Sequence, residues 1–184
     1  NGGMTLGIRD VAADAILLTN TMAEMKVNPK VVLASGGGHA DPKFLENVGK
    51  NALYLFDEVE WNTDVNKPGA KETNAKFKAK YGYDLTGESV DAYAAMYVIA
   101  DALERAASTD PKKVRDALAS TKLTTGPAMI VSYNGIEFDE SGQNKNAGIV
   151  IAQSAEIDGK LDRVTVWPKD ARRAGYKPVF PSGK

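Results

Sequence analysis

The sequence predicts an α/β fold with a parallel sheet, and three observations lead there. Residues 1–60 alternate short apolar runs with helical stretches, the order a parallel sheet requires. The run VVLA at 31–34 is β-branched and short enough for a buried strand, and a glycine-rich loop and an Asp-Pro helix start follow it. The stretch 88–107, ESVDAYAAMYVIADALERAA, is apolar from Ala92 to Leu103 except at Asp101, so it predicts a long interior helix that other elements must cover.

In chain order, Met4 to Ile8 reads as a strand and DAILLTNTMAEM as a helix, with Asp10 as its N-cap and Asn28–Pro29 as its stop. After VVLA, Asp41 and Pro42 open the helix KFLENV, which stops at Gly49. ALYLFDEVEW at 52–61 reads as a third strand. The polar stretch NTDVNKPG at 62–69 is expected to cross between lobes. A charged helix over 70–80, with Ala75 and Phe77 facing inward, precedes the central helix, whose Tyr93, Met96 and Tyr97 read as core. Asp110 and Pro111 cap a further helix. Strands are expected at 129–131, 136–138, 149–152 and 161–167, the last two joined by a turn at Asp158 and Gly159. The tail is expected along a surface.

Composition excludes several functions. Twenty-three basic against 24 acidic residues leave a net charge of −1, which gives no electrostatic reason for nucleic acid or an anionic membrane as partner. Without cysteine there is neither a disulfide frame nor a thiolate metal site, while an oxidising compartment stays permitted. No apolar run approaches the ~20 residues that span a bilayer, and NGGMTLGIRD is no signal peptide. The chain therefore reads as cytosolic, or as a mature or truncated piece of an exported protein.

Chemistry is concentrated in two strand-to-helix turns. Ser35, Gly36, Gly37 and Gly38 leave a strand and precede a helix, where open α/β sheets bind ligands, and the backbone amides of such a loop suit a carboxylate or phosphate. The alternative is a loop that needs glycine only to turn. GGGHAD fits neither dinucleotide nor nucleoside-triphosphate motifs. His39, the single histidine, is read as a loop residue that hydrogen-bonds a ligand, since no nucleophile elbow is present for a triad. No HExxH or EF-hand loop is present, so no metal is expected. Arg9 and Asp10, in the first turn, can clamp both charges of a zwitterion, or Asp10 can simply cap its helix. Asp57, Glu58 and Glu60 can pair with an ammonium group or form a solvated strand end.

Several segments together resemble the branched-chain amino acid (Leu/Ile/Val-binding) family of ABC transporter substrate-binding proteins: DAILLTNTMAEMKVNPKVVLASGGG, FLENVGKNALYLF, DAYAAMYVIADALERA with DPKKVRDALAS, and GIEFDESGQNKNAGIVIAQ with DRVTVWP. They cover most of the chain in the family's order and match only the C-terminal half of such a protein. The resemblance implies the periplasmic binding protein type I fold, two Rossmann-like lobes joined by a three-stranded hinge and closing on a small molecule. Residues 1–60 would supply second-lobe β/α units, 61–156 a first-lobe segment with the central helix 88–107, and 157–184 the final crossing back to the second lobe and the tail. The family's ligand contacts would fall on Arg9, Asp10 and Val11, on Ser35, Gly36, Gly37, Gly38 and His39, and on Glu88 and Ser89. Leucine-binding members place an acidic residue for the ligand's ammonium where Gly37 stands here, so the implied ligand is an amino acid, an amide or an aromatic acid.

The implied function is that of the solute-binding component of an ABC importer: a periplasmic or membrane-tethered monomer, without cofactor or catalysis, that delivers a small carboxylate to a membrane permease. The ligand-sensing domain of a receptor with the same fold is the alternative. A small α/β hydrolase is disfavoured because no nucleophile, base and orienting group can be assembled.

Overall fold

The structure, a computed structural model, describes residues 5–8 and 11–180. The chain divides into two compact units, Asn1–Asp64 with Val150–Lys184, and Val65–Ile149. The first is built on a five-stranded sheet in the order β1-β2-β3-β6-β7, formed by β1 (Thr5–Ile8), β2 (Val31–Ser35), β3 (Phe56–Val59), β6 (Val150–Ile157) and β7 (Lys160–Trp167). The first three strands are parallel, β6 runs antiparallel to β3, and β7 returns antiparallel to β6. Among the described residues this unit carries the α-helices α1 (Ala12–Glu24), α2 (Gly37–Ala40) and α3 (Pro42–Val48). Alternation along the strands separates two faces. Val32 joins Ala15, Phe44, Val48, Ala52 and Leu55 in one buried cluster, with Leu161 of β7 packed against it. On the opposite face the amide of Gln153, fully buried, donates to the carbonyls of Tyr54 and Val179 and accepts from the Val179 N–H and the Tyr176 hydroxyl, so it holds the tail.

Both Asp-Pro helix starts form as their chemistry requires. Asp41 accepts from the Lys43 N–H at 2.7 Å and Asp110 from the Lys113 N–H at 3.1 Å, each with proline in the first turn. The Asp158–Gly159 turn also forms, both residues at positive φ (51° and 77°), as a tight two-residue hairpin demands.

Other expectations are corrected. The strand expected at 52–61 shrinks to β3, because Gly49–Ala52 winds into a 3-10 turn and Tyr54 takes φ 69°, outside the extended conformation of a strand. α1 stops at Glu24, short of Asn28 and Pro29: Lys26 turns left-handed at φ 55°, while the Lys26 and Val27 amides bond back to Ala23 and Met22. The two compact units divide at bounds other than 60 and 156, since β6 hydrogen-bonds to β3 and 150–156 fall with 61–64 in the sheet unit. Residues 157–184 contain the returning strand of the β6–β7 hairpin.

The second unit holds α4 (Ala70–Tyr81), α5 (Gly87–Ala106), α6 (Pro111–Ala119) and a two-stranded ladder of β4 (Lys122–Leu123) with β5 (Ile136–Glu137). The strand expected at 129–131 is instead the 3-10 turn Pro127–Ile130, opened by a proline, and Ala75 of α4 is exposed. The interior helix is also corrected. α5 buries one stripe, Gly87, Val90, Ala94, Val98 and Ala102, where α6 and the 127–130 turn pack. Met96 and Tyr97, read as core, are 65% and 41% exposed, and Tyr93 is half-buried against the Tyr97 ring. Arg105 ties α5 to α6, donating to the Ala117 carbonyl at 2.7 Å while bonding Asp101 on its own helix.

Asp64 closes the sheet unit at its boundary. Its carboxylate accepts from Asn62 Nδ2, from the Thr165 N–H and from the Thr165 hydroxyl. Burial pushes this carboxyl above its ordinary 3.8, against the opposing pulls of Thr165 and Arg173. The folded chain therefore keeps the proton to higher pH than the unfolded chain, a contribution to stability that is full below the unfolded value and lost as pH rises through the folded one. Asp64→Asn is expected to gain stability relative to the parent as pH rises above about 4 in urea denaturation. A difference independent of pH would show that Asp64 titrates normally.

Candidate functional site

The parallel strands decide where the turns lie. Ile8 pairs with Ala34 and Ser35 with Glu58, so the carboxyl ends of β1, β2 and β3 reach one edge of the sheet, and the turns after β1 and β2 are neighbours there. That edge is where open parallel sheets offer backbone amides to ligands. Arg9 and Asp10 lie outside the described residues. Val11 stands at the N-cap position of α1 in extended conformation, with its side chain 64% exposed.

The second turn is more ordered than a glycine loop implies. Ser35 ends β2 half-buried. Gly36 sits at φ 139° and ψ 169°, a conformation that side chains rarely adopt, so glycine is required there. Gly37 is exposed, and a Cβ built on it meets nothing within 4 Å, so no crowding forces glycine at that place. From Gly37 the chain winds into α2, closed by the Asp41 N–H on the Gly37 carbonyl at 3.0 Å. The winding turns Gly38 and His39 inward.

His39 is buried. Expected on the loop as a ligand partner, its side chain is 2% exposed, with Nε2 3.5 Å from the Thr19 hydroxyl and the ring 4.6 Å from the Phe44 ring. Its imidazole packs between α1 and α3 and serves the core. The acidic cluster divides as well: Asp57 is buried, Glu58 half-buried and Glu60 exposed.

Asp57 faces Arg163 of β7, with Nε to Oδ2 at 3.6 Å and side-chain exposures of 6% and 13%. The Arg163 guanidinium also donates, through Nη2, to the backbone carbonyls of His39 and Asp41. Burial pushes the Arg163 guanidinium below its usual range, against the carboxylates of Asp57, Asp162 and Asp41. Sequence reasoning missed this pair because its members lie on different strands. One signal was available: strand alternation puts Arg163 on the same face as Leu161, which packs against the helix-covered core.

Glu88 and Ser89 belong to the second unit, in the first turn of α5. Thr86 caps that turn, accepting from the Ser89 N–H at 3.3 Å and meeting the Ser89 hydroxyl at 3.1 Å, while Glu88 is exposed. The structure thus brings Val11, Ser35, Gly36 and Gly37 to one sheet edge, and sets Glu88 and Ser89 at a helix start in the other unit. A groove of about 250 Å³ in the sheet unit, lined by Thr19, Met22, Val27, Val32, Leu53 and Leu55 among others, contains none of these residues.

Comparisons with known proteins agree with this architecture. A curated relative, Leu/Ile/Val-binding protein homolog 7 of Brucella suis, is 29% identical over 165 residues, which is 86% of this chain and 40% of the relative. A leucine binding protein from Thermotoga maritima superposes with a TM-score of 0.70 at 23% identity, over 90% of this chain and 45% of that one. A solute binding protein of an ABC transporter from Rhodopseudomonas palustris BisB5, solved with 3,4-dihydroxybenzoic acid, gives 0.69 at 18% identity, over 93% and 46%. The chain spans about 40% of the length of the curated relatives it matches. These likenesses show the type I periplasmic binding fold. The family model described as periplasmic binding protein matches residues 4–155, most of the 184, and on that match the chain belongs to the periplasmic binding protein family.

Proposed function

We propose that this chain is part of the solute-binding component of an ABC importer, capturing an amino acid or a similar small carboxylate and releasing it unchanged to a membrane permease. The observation that carries the reading is the register of β1 with β2, which sets the turn at Val11 beside the Gly36 turn on one edge of the sheet. Exposed amides in such a turn suit a carboxylate, and polar groups from a second lobe would fix its orientation. The two units correspond to segments of the two lobes, with Arg9, Asp10, Glu88 and Ser89 as further contacts. Gly37 presents no carboxylate to meet a ligand's ammonium, which favours an aromatic acid over leucine and leaves an amide as a further candidate. With its imidazole buried, His39 offers no base to a substrate, which supports binding without catalysis. Among the described residues no helix is long and apolar enough to cross a membrane. The family supports a periplasmic location, and monomeric action fits a protein that closes around its ligand.

A thermal-shift series with L-leucine, L-leucinamide and benzoate tests the reading. A ligand present at 100 times its Kd stabilises by about 2.7 kcal/mol, which for a chain of this size is a rise of roughly 5–10 °C. Gly36→Val, which forces a side chain into a conformation reserved for glycine, is expected to abolish the rise. A parent that no compound stabilises at millimolar concentration would end the proposal.

A further inference from the structure

We propose that Arg163 is a positioning residue for the ligand turn, holding residues 36–41 in shape from the far strand of the sheet. The inference rests on the reading of that turn as a ligand site. α2 is four residues long and begins with two glycines, each a poor helix former, so it has little stability of its own. Its closing carbonyls also lack helical partners, as at any helix end. Arg163 supplies the missing restraint: Nη2 takes the carbonyls of His39 and Asp41, one from the last turn of α2 and one from the N-cap of α3. Asp57 holds the guanidinium from β3, with Nε 3.6 Å from Oδ2.

The cost of this arrangement argues for a purpose beyond stability. A buried ion pair is seldom more stabilising than apolar residues of the same volume, whereas removing one partner is strongly unfavourable. Nη2 reaches both carbonyls while Nε of the same rigid plane faces the carboxylate, a spacing that the single nitrogen of a lysine ammonium does not reproduce. The pair therefore sets the direction in which the chain leaves Gly36, and with it the amides that the turn presents.

Arg163→Lys keeps a cation beside Asp57 and loses the fork, and Arg163→Met loses both. Amide hydrogen exchange reads the turn directly, because the Asp41 N–H is bonded to the Gly37 carbonyl at 3.0 Å. In Arg163→Lys this amide is expected to exchange about tenfold faster while the β6–β7 hairpin is unchanged, and affinity for whichever of L-leucine, L-leucinamide or benzoate stabilises the parent is expected to fall about tenfold. If Arg163→Met does not fold, the lysine variant decides alone. Unchanged exchange at Asp41, or a rise shared equally by the hairpin, would overturn the assignment. The exchange result needs no ligand: a response at Asp41 in a protein that binds none of the three probes keeps the restraint and removes the ligand reading. Binding that is unaltered in Arg163→Lys, with unaltered exchange, removes the restraint alone.

Discussion

Replacing Phe44 by alanine is expected to lower the stability of the sheet unit by about 3–5 kcal/mol, because it empties the bulkiest side chain of the buried cluster. The side chain is 1% exposed and sits with Ala15, Val32, Val48, Ala52 and Leu55. Those neighbours belong to a sheet strand, to helices and to the turn before β3, so they have little freedom to collapse into the space. The His39 ring lies 4.6 Å away and would border the cavity. A buried imidazole that loses its aromatic neighbour faces a void on that side, so the 36–41 turn should loosen with the core. Urea denaturation measures the loss. A change below about 1 kcal/mol would mean that α3 is not packed on the sheet.

Gln153→Leu is expected to cost about 3 kcal/mol, although leucine nearly matches glutamine in volume. All four hydrogen bonds of the amide are made inside the protein, two donated at 3.0 and 2.9 Å and two accepted at 2.9 Å. The substitution leaves the carbonyl of Tyr54 without its side-chain donor, and it releases the Val179 backbone, whose neighbour Phe180 stacks on Phe56 at 5.2 Å between centroids. Since leaving a buried polar group unsatisfied costs more than a hydrogen bond contributes, the deficit should exceed that of a surface glutamine several-fold. Limited proteolysis adds a second reading: residues 170–180 should become cleavable in the variant while the parent resists. Equal resistance together with an equal urea midpoint would show that the tail is held by something else.

The architecture was more legible than the details that make the site. Period and punctuation carry the strand-helix alternation, so VVLA, the Asp-Pro caps and the Asp158–Gly159 turn were all readable from short-range chemistry. Failures came where tertiary contacts decide. ALYLFDEVEW has strand composition over its length, yet a left-handed Tyr54 interrupts it between the buried Leu53 and Leu55, and regular strand begins only at Phe56. The central helix reads as interior because nearly every residue is apolar, but burial depends on what packs against it, and here full burial is confined to one stripe of every third or fourth residue. His39 follows glycines and reads as exposed, and only the winding of α2 turns it inward. Asp57 and Arg163 meet through a strand order that no local pattern encodes.

The order β3-β6 in the sheet sets a timetable for synthesis, since all of Val65–Ile149 separates two neighbouring strands. At roughly 5–20 residues per second, a ribosome leaves β3 as an unmated edge for about 4–17 s before β6 emerges. Glu58 and Glu60, with Asp57, place negative charge on that waiting segment, and charge is what discourages two nascent chains from zipping together along an open edge.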